Sequence, residues 1–306
     1  MLADQSREVS KDHNFRDVQE RQIRCGGYLT RYLEAGDPHR DPVLLIHDGA
    51  WGASSSTTWG SFIPELSEEY HVLAPDLLGY GGSDKVVFLD RSQHDFRIEH
   101  LSEFVKAKNI SRPIHVVGNS FGGSNALRAL AKPGSFDFRS VVSIAGSGGP
   151  WRTSTALEQM GHWDGTRDDL TRVLRLLVDY DYPGFSDQLA ERNKWANAPG
   201  HYKAILAPSV PTPSNVKQLV SDPWPSQIAN VTVPILLVNC LRDELLESSW
   251  TASLQAVLPY SKIVDIDCKH APQLDHPREL RRVLTEFFDS VRAQENVPNH
   301  LGSHGR

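Results

Sequence analysis

Apolar and polar residues alternate at the start of the chain and then gather into runs. Positions 18–24 and 28–34 alternate with the period of a half-buried strand, and Gly26-Gly27 between them marks a hairpin turn. Val43-Leu44-Leu45-Ile46 is apolar throughout, the pattern of a strand covered on both faces of a parallel sheet. Comparable runs recur at 71–74, 114–117, 141–145, 234–238 and 263–266. Between them the period changes to that of helices. One helix is expected over 59–67, one on the face formed by Phe96, Ile98, Leu101, Phe104 and Val105, one near 248–257, and a closing helix from Pro277 to about Arg292. Strands alternating with helices through short connections predict an α/β fold, a mostly parallel, doubly wound sheet covered on both faces.

The rhythm breaks after the sixth strand. Leu170, Val173, Leu174, Leu176, Leu177 and Tyr180 form one amphipathic helical face, and 185–198 reads as a second helix, with no strand between. A stretch rich in Pro, Ser and Thr follows at 207–214, and Pro223-Trp224-Pro225 closes the insertion. A helical cap over the carboxyl edge of the sheet is expected, where open α/β sheets bind ligands. The organisation read from the sequence is a flexible arm (1–17), a core built from 18–146 and 223–293, a cap (147–222) and a flexible tail (294–306).

Composition narrows the function. A net charge of −6 over 306 residues, with both signs mixed along the chain, leaves no footprint for nucleic acid or an anionic membrane. No apolar run reaches the ~18 residues of a membrane span, and the polar beginning has no signal-peptide core, so a cytoplasmic protein is expected. Three widely spaced cysteines, Cys25, Cys240 and Cys268, suit neither a disulfide framework nor zinc, and the 13 histidines show no metal-binding spacing. A small-molecule substrate and no cofactor or metal are expected; a homodimer stays open.

The chemistry concentrates where the strand His115-Val116-Val117 meets Gly118-Asn119-Ser120-Phe121-Gly122-Gly123 and a helical run begins at once. Strand, Gly-x-Ser-x-Gly and helix make a nucleophile elbow, with Ser120 at its apex and the positive end of a helix below it. A serine hydroxyl needs a base, and the base needs a partner to fix its tautomer. In such a fold the chain order is serine, acid, histidine. The loop after 234–238 offers two acids, Asp243 and Glu244, of which Asp243 is preferred. The last loop offers His270, with His276 as its rival beside the start of the closing helix. Backbone N–H groups of Phe121, next to the nucleophile, and Gly49, in the loop after Ile46, are the expected oxyanion hole. Asp48 beside Gly49 would repel an oxyanion unless turned away or paired, and a turn-capping role is expected for it. A dehydrogenase would need a second glycine in register at Gly118-Asn119-Ser120, which is missing.

These residues resemble the α/β-hydrolase superfamily, and within it the hydrolases that cleave carbon–carbon bonds in ring-fission products of aromatic degradation. The resemblance covers roughly 18–291. It is carried by His47-Asp48-Gly49-Ala50-Trp51-Gly52-Ala53, by 74–83, by the Ser120 elbow, and by Cys268-Lys269-His270 with Asp275-His276-Pro277. It implies that Asn119 touches the substrate's enol oxygen, that Arg192 in the cap grips its carboxylate, and that Asp48 and Trp51 belong to the substrate-binding loop. Three positions depart from the family pattern: Ala271 after the histidine, Ser61 for an expected asparagine, and Asp48 for a glycine. The resulting expectation is a cofactor-independent serine hydrolase of a small ketone, ester or lactone, cleaving a carbon–carbon bond in the first case. A ligand-binding receptor of the same fold with slow turnover is the alternative.

Overall fold

The structure is a computed structural model that describes residues 17–211 and 222–295. The expected arm up to residue 16, most of the tail, and part of the Pro/Ser/Thr-rich stretch lie outside them. Eight strands form one sheet in the order β1-β2-β4-β3-β5-β6-β7-β8. They are β1 (Gln19–Cys25), β2 (Tyr28–Ala35), β3 (Pro42–Ile46), β4 (His71–Pro75), β5 (Ile114–Asn119), β6 (Phe138–Ile144), β7 (Ile235–Cys240) and β8 (Lys262–Ile266). The β1–β2 hairpin turns at Gly26 and Gly27, both with positive φ (56° and 89°), as a tight two-residue turn requires. β2 also runs antiparallel to β4, and every later pairing is parallel. β3, β4 and β5 are buried along their whole length, which explains their unbroken apolar runs.

The expected helix over 59–67 is two short ones, α1 (Ser55–Trp59) and α2 (Ile63–Ser67). Ser54 and Thr57 form a capping box that starts α1 ahead of the apolar signal, and a β-carbon at Gly60 would press against the Ser56 carbonyl at 2.6 Å. α3 (Asp95–Ala107) and α4 (Phe121–Ala129) follow, the latter directly below the elbow.

Between β6 and β7 lie α5 (Ser154–Gln159), α6 (Arg167–Leu177), α7 (Phe185–Ala196) and α8 (His201–Leu206), and among the described residues there is no strand. α6 shows why the cap folds: Thr166 caps it by accepting from Asp169 N, Asp168 and Asp169 sit in the first turn, and Leu170, Val173, Leu174 and Leu177 bury one face. α5 and α8 are too short to show a period in sequence. The cap has its own apolar cluster, in which Leu170, Leu174 and Trp163 meet Trp51, Leu245 and Ala271 from the core loops. The cap's first residues are also strapped to the loop after β7: Thr153 N donates to Leu245 O (3.1 Å), Glu247 N donates to Trp151 O (2.9 Å), and Arg152 bridges Leu246. At its far end Arg128 of α4 pairs with Asp222 (2.6 Å).

The core resumes with α9 (Trp250–Gln255) and α10 (Pro272–Asp275), and ends in α11 (Pro277–Glu295). α11 buries Leu280, Val283, Leu284, Phe287, Phe288 and Val291, a helical stripe over the main apolar core.

Candidate active site

Ser120 leaves β5 with φ 58° and ψ −116°, a conformation costing a residue with a β-carbon on the order of 1–3 kcal/mol. The strain is held by Ser120 N donating to Ile144 O (2.8 Å) and Ser124 N donating back to Ser120 O (2.9 Å). Glycine is required on both sides of the turn. A β-carbon on Gly118 would enter the Gly122 backbone, and one on Gly122 would enter the carbonyl of Ile46. The serine is thus pressed upward, half-buried, at the carboxyl edge of the central strand.

The loops after β7 and β8 bring in the other two groups. Asp243 N donates to Cys240 O (3.1 Å) and Leu245 N to Asp243 Oδ1 (2.8 Å), closing a turn that leaves Oδ2 free to accept from His270 Nδ1 at 2.8 Å. Both side chains are buried (4% and 2% exposed), so this contact is shielded from solvent. With the proton on Nδ1, Nε2 carries the lone pair, and Nε2 is buried without a hydrogen-bond partner. Ser120 and His270 line one cavity of about 340 Å³, without a direct hydrogen bond between them. The rivals go elsewhere. Glu244 pairs with Lys269 (3.0 Å) and is half-exposed, and His276 pairs with Asp275 (2.8 Å) outside the cavity.

Gly49 and Phe121 line the same cavity, and among the described residues no acceptor takes either N–H. A β-carbon on Gly49 would lie 2.8 Å from Phe121 Cβ, so the Gly49 backbone lies close against the Phe121 side chain. His47 holds the Gly49 loop. It donates from Nδ1 to Asp48 O (2.6 Å) and accepts Leu77 N at Nε2 (2.9 Å), and burial pushes its pKa down, keeping it neutral.

Four side chains expected at the substrate lie behind the cavity wall instead. Arg192 and Asp48 form a fully buried ion pair (Nη2–Oδ2 2.8 Å), with Thr58 Oγ1 donating to Asp48 at 2.6 Å and Ala50 N at 2.8 Å. The Asp48 carboxyl sits well below the ordinary carboxylate range: burial opposes this, and the Arg192 charge and these donors outweigh it. The pairing disposes of the repulsion that Asp48 threatened beside Gly49, and it occupies the arginine expected to grip a substrate. Asn119 is likewise engaged: Nδ2 donates to His270 O (2.9 Å) and Ile144 O (3.3 Å), and Oδ1 accepts from Gln273 (3.1 Å). Trp51 packs against Trp163 and Tyr202 and donates its indole N–H to Met160 O (3.1 Å). Ser61 is exposed and lines no part of the cavity.

The cavity wall holds three groups that the sequence did not single out. Tyr80, which falls within the 74–83 segment, donates to Gly49 O (3.3 Å). His94 packs against Phe121 with the rings tilted by 38° and bonds Asn125 through Nδ1 (2.8 Å), and burial pushes its pKa down to about 4. Arg152 carries no motif at all. A larger hollow of about 580 Å³ opens at the other ends of β7 and β8, but its ionisable side chains are only Tyr260 and Lys262, which form no nucleophile–base pair. Asp179, Asp275 and His276 could hold a cation by spacing, yet Arg242 already bonds both Asp179 oxygens (2.6 and 2.8 Å). No helix among the described residues is long and apolar enough to cross a membrane.

Known proteins are similar to this chain in sequence and fold. Over 284 residues the chain is 29% identical to the 2-hydroxy-6-oxo-6-(2'-aminophenyl)hexa-2,4-dienoic acid hydrolase of Metapseudomonas resinovorans, covering 88% of this chain and 90% of that one. It is 26% identical to Lipase 3 of Moraxella sp. (strain TA144), covering 85% and 81%. Among solved structures, the meta-cleavage product hydrolase of Pseudomonas fluorescens IP01 superposes with a TM-score of 0.75 at 25% identity, covering 88% of this chain and 97% of that one. Residues 43–283 match the profile described as the alpha/beta hydrolase family. The strand order, the elbow and this match lead to one conclusion: the chain belongs to the alpha/beta hydrolase family.

Proposed function

We propose that the protein is a cofactor-independent serine hydrolase of a small organic carbonyl compound, with Ser120 as nucleophile, His270 as base and Asp243 as the group that orients it. The observation that carries this reading is the buried Asp243–His270 contact, which leaves Nε2 unpartnered in the cavity that Ser120 also lines. Nε2 takes the Ser120 proton as Oγ attacks the substrate carbonyl, and the N–H groups of Gly49 and Phe121 hold the oxyanion. Collapse expels the leaving group, protonated from the His270 imidazolium. Water, deprotonated at the same nitrogen, then releases the acid and regenerates Ser120.

Cleavage of a carbon–carbon bond next to a ketone is the first reading, supported by the dienoic acid hydrolase relative. There His270 first moves the proton of the substrate's enol hydroxyl to the carbon that will leave, giving the keto tautomer; attack on the neighbouring ketone then breaks the carbon–carbon bond, and the leaving carbon departs as an enolate conjugated with the new carbonyl. Ester or lactone hydrolysis is the second, supported by the lipase relative and by the engagement of Arg192 and Asn119 inside the protein. These relatives are enzymes, which favours turnover over a receptor role.

The test pairs labelling with turnover. A fluorophosphonate should label the wild type and not Ser120→Ala. Steady-state hydrolysis of a 2-hydroxy-6-oxo-dienoate and of a 4-nitrophenyl ester then separates the two readings. Absence of labelling, or a stoichiometric burst with no turnover on either compound, would overturn the proposal.

A further inference from the structure

The cavity around Ser120 has an uneven charge. Among the described residues lining it there is no Asp or Glu, and Arg152 is the one permanent cation. Arg192, the cap arginine expected to meet substrate, is neutralised by Asp48. Among the described residues Arg152 pairs with no carboxylate, and its guanidinium donates once, from Nη2 to Ala156 O (3.2 Å), which leaves most of its five N–H donors without an acceptor there. The residue is exposed, while partial burial of its guanidinium pushes the pKa down. Its backbone is fixed, since Arg152 bridges Leu246 while the residues on either side bond Leu245 and Glu247. Leu245 and Leu246 line the cavity two and three residues beyond Asp243. A guanidinium carried on a fixed backbone therefore stands at the cavity, tied to the loop that holds the catalytic acid.

From this geometry we infer that the substrate is an anion, whose carboxylate is taken by Arg152 rather than by Arg192. The inference rests on the hydrolase reading above and adds the substrate's charge to it. A planar guanidinium with open donors matches a carboxylate in two parallel hydrogen bonds, and no acidic side chain in the cavity competes for it. Arg152 acts on binding and selection, whereas Ser120, His270 and Asp243 carry out the bond cleavage.

The experiment compares two 4-nitrophenyl esters of equal chain length, the hemiglutarate, which bears a free carboxylate, and the neutral valerate. Wild type should favour the hemiglutarate in kcat/KM, and the preference should shrink as salt is raised. Arg152→Gln should lose about 10- to 100-fold on the hemiglutarate, mostly in KM, and stay within about threefold on the valerate, as expected for losing one charge-assisted contact. Arg152→Lys should recover part of the loss. Glutarate should slow fluorophosphonate labelling of Ser120 in wild type and not in Arg152→Gln, a readout that needs no turnover. Equal loss on both esters, or no charge preference in a wild type that hydrolyses the valerate and is labelled, overturns the Arg152 assignment alone. Absence of both labelling and hydrolysis overturns the hydrolase reading and this inference with it.

Discussion

Replacing Arg192 by methionine keeps the bulk of the aliphatic stem and removes the charge, leaving Asp48 fully buried without its cation. Breaking a buried pair from one side costs about 3–5 kcal/mol, because a desolvated charge is left uncompensated. Asp48 keeps the Thr58 hydroxyl and Ala50 N–H, so the low end, about 3 kcal/mol, is expected. For a chain of this size that corresponds to a fall in Tm of roughly 6–12 °C. Removing both charges in Arg192→Met with Asp48→Asn should return stability to within about 1 kcal/mol of wild type, since the asparagine can still accept from Ala50. The pH dependence has a definite sign. In wild type the folded-state pKa of Asp48 lies below its unfolded value, so its contribution is complete above the ordinary carboxylate range and is lost only as pH falls through the lowered pKa. In Arg192→Met burial is opposed only by the Thr58 and Ala50 donors, so the Asp48 pKa should rise well above its wild-type position, and the variant should recover part of its loss as pH falls from 8 towards 5 and Asp48 takes up a proton. Urea unfolding of the three proteins at both pH values measures this. A single variant within 1 kcal/mol of wild type, or a double variant showing the sum of two losses, would refute the reasoning.

Three more outcomes are expected. Gly49→Ala places a methyl group against Phe121 Cβ and displaces the paired N–H donors, so kcat should fall about 10²–10³-fold with Tm little changed, as turnover and a thermal melt would show. Asn119→Ala frees the His270 carbonyl and orphans Gln273; kcat should drop even on a simple ester with no enol, and an unchanged kcat would mean that Asn119 does not position the histidine loop. Acid should destabilise the fold well above the carboxylate range. His94, His100 and His201 are pushed to about 4 and His115 to about 3 by burial, so each binds a proton more readily when unfolded. Stability should fall from pH 6.5 towards these values by up to about 1.4 kcal/mol per pH unit for each fully titrating group, and a flat profile between pH 6.5 and 4.5 would contradict it.

What the sequence disclosed follows from how local each determinant is. The Ser120 elbow was legible because strand, turn and helix are consecutive, and Gly118 and Gly122 exclude side chains for reasons contained within a few residues. Asp243 and His270 were legible through chain order, since each follows a strand of the parallel sheet. The Asp48–Arg192 pair was not, because it joins residues 144 positions apart across the cap and core, and only the packed structure shows that the two charges cancel. Asn119 misled for the same reason: its neighbour in sequence is the nucleophile, while its amide serves a carbonyl 151 residues away. The 59–67 helix was joined wrongly because a capping box and a crowded glycine outweighed the apolar pattern.

The strap between residues 151–153 and 245–247 carries a lesson for engineering. Exchanging this lid for one grafted from another hydrolase would cut the backbone brace under the loop that presents the aspartate. On the function proposed above, substrate choice at Arg152 and the placing of Asp243 would be inherited together, and a chimera would have to import both halves of that small ribbon to change one without losing the other.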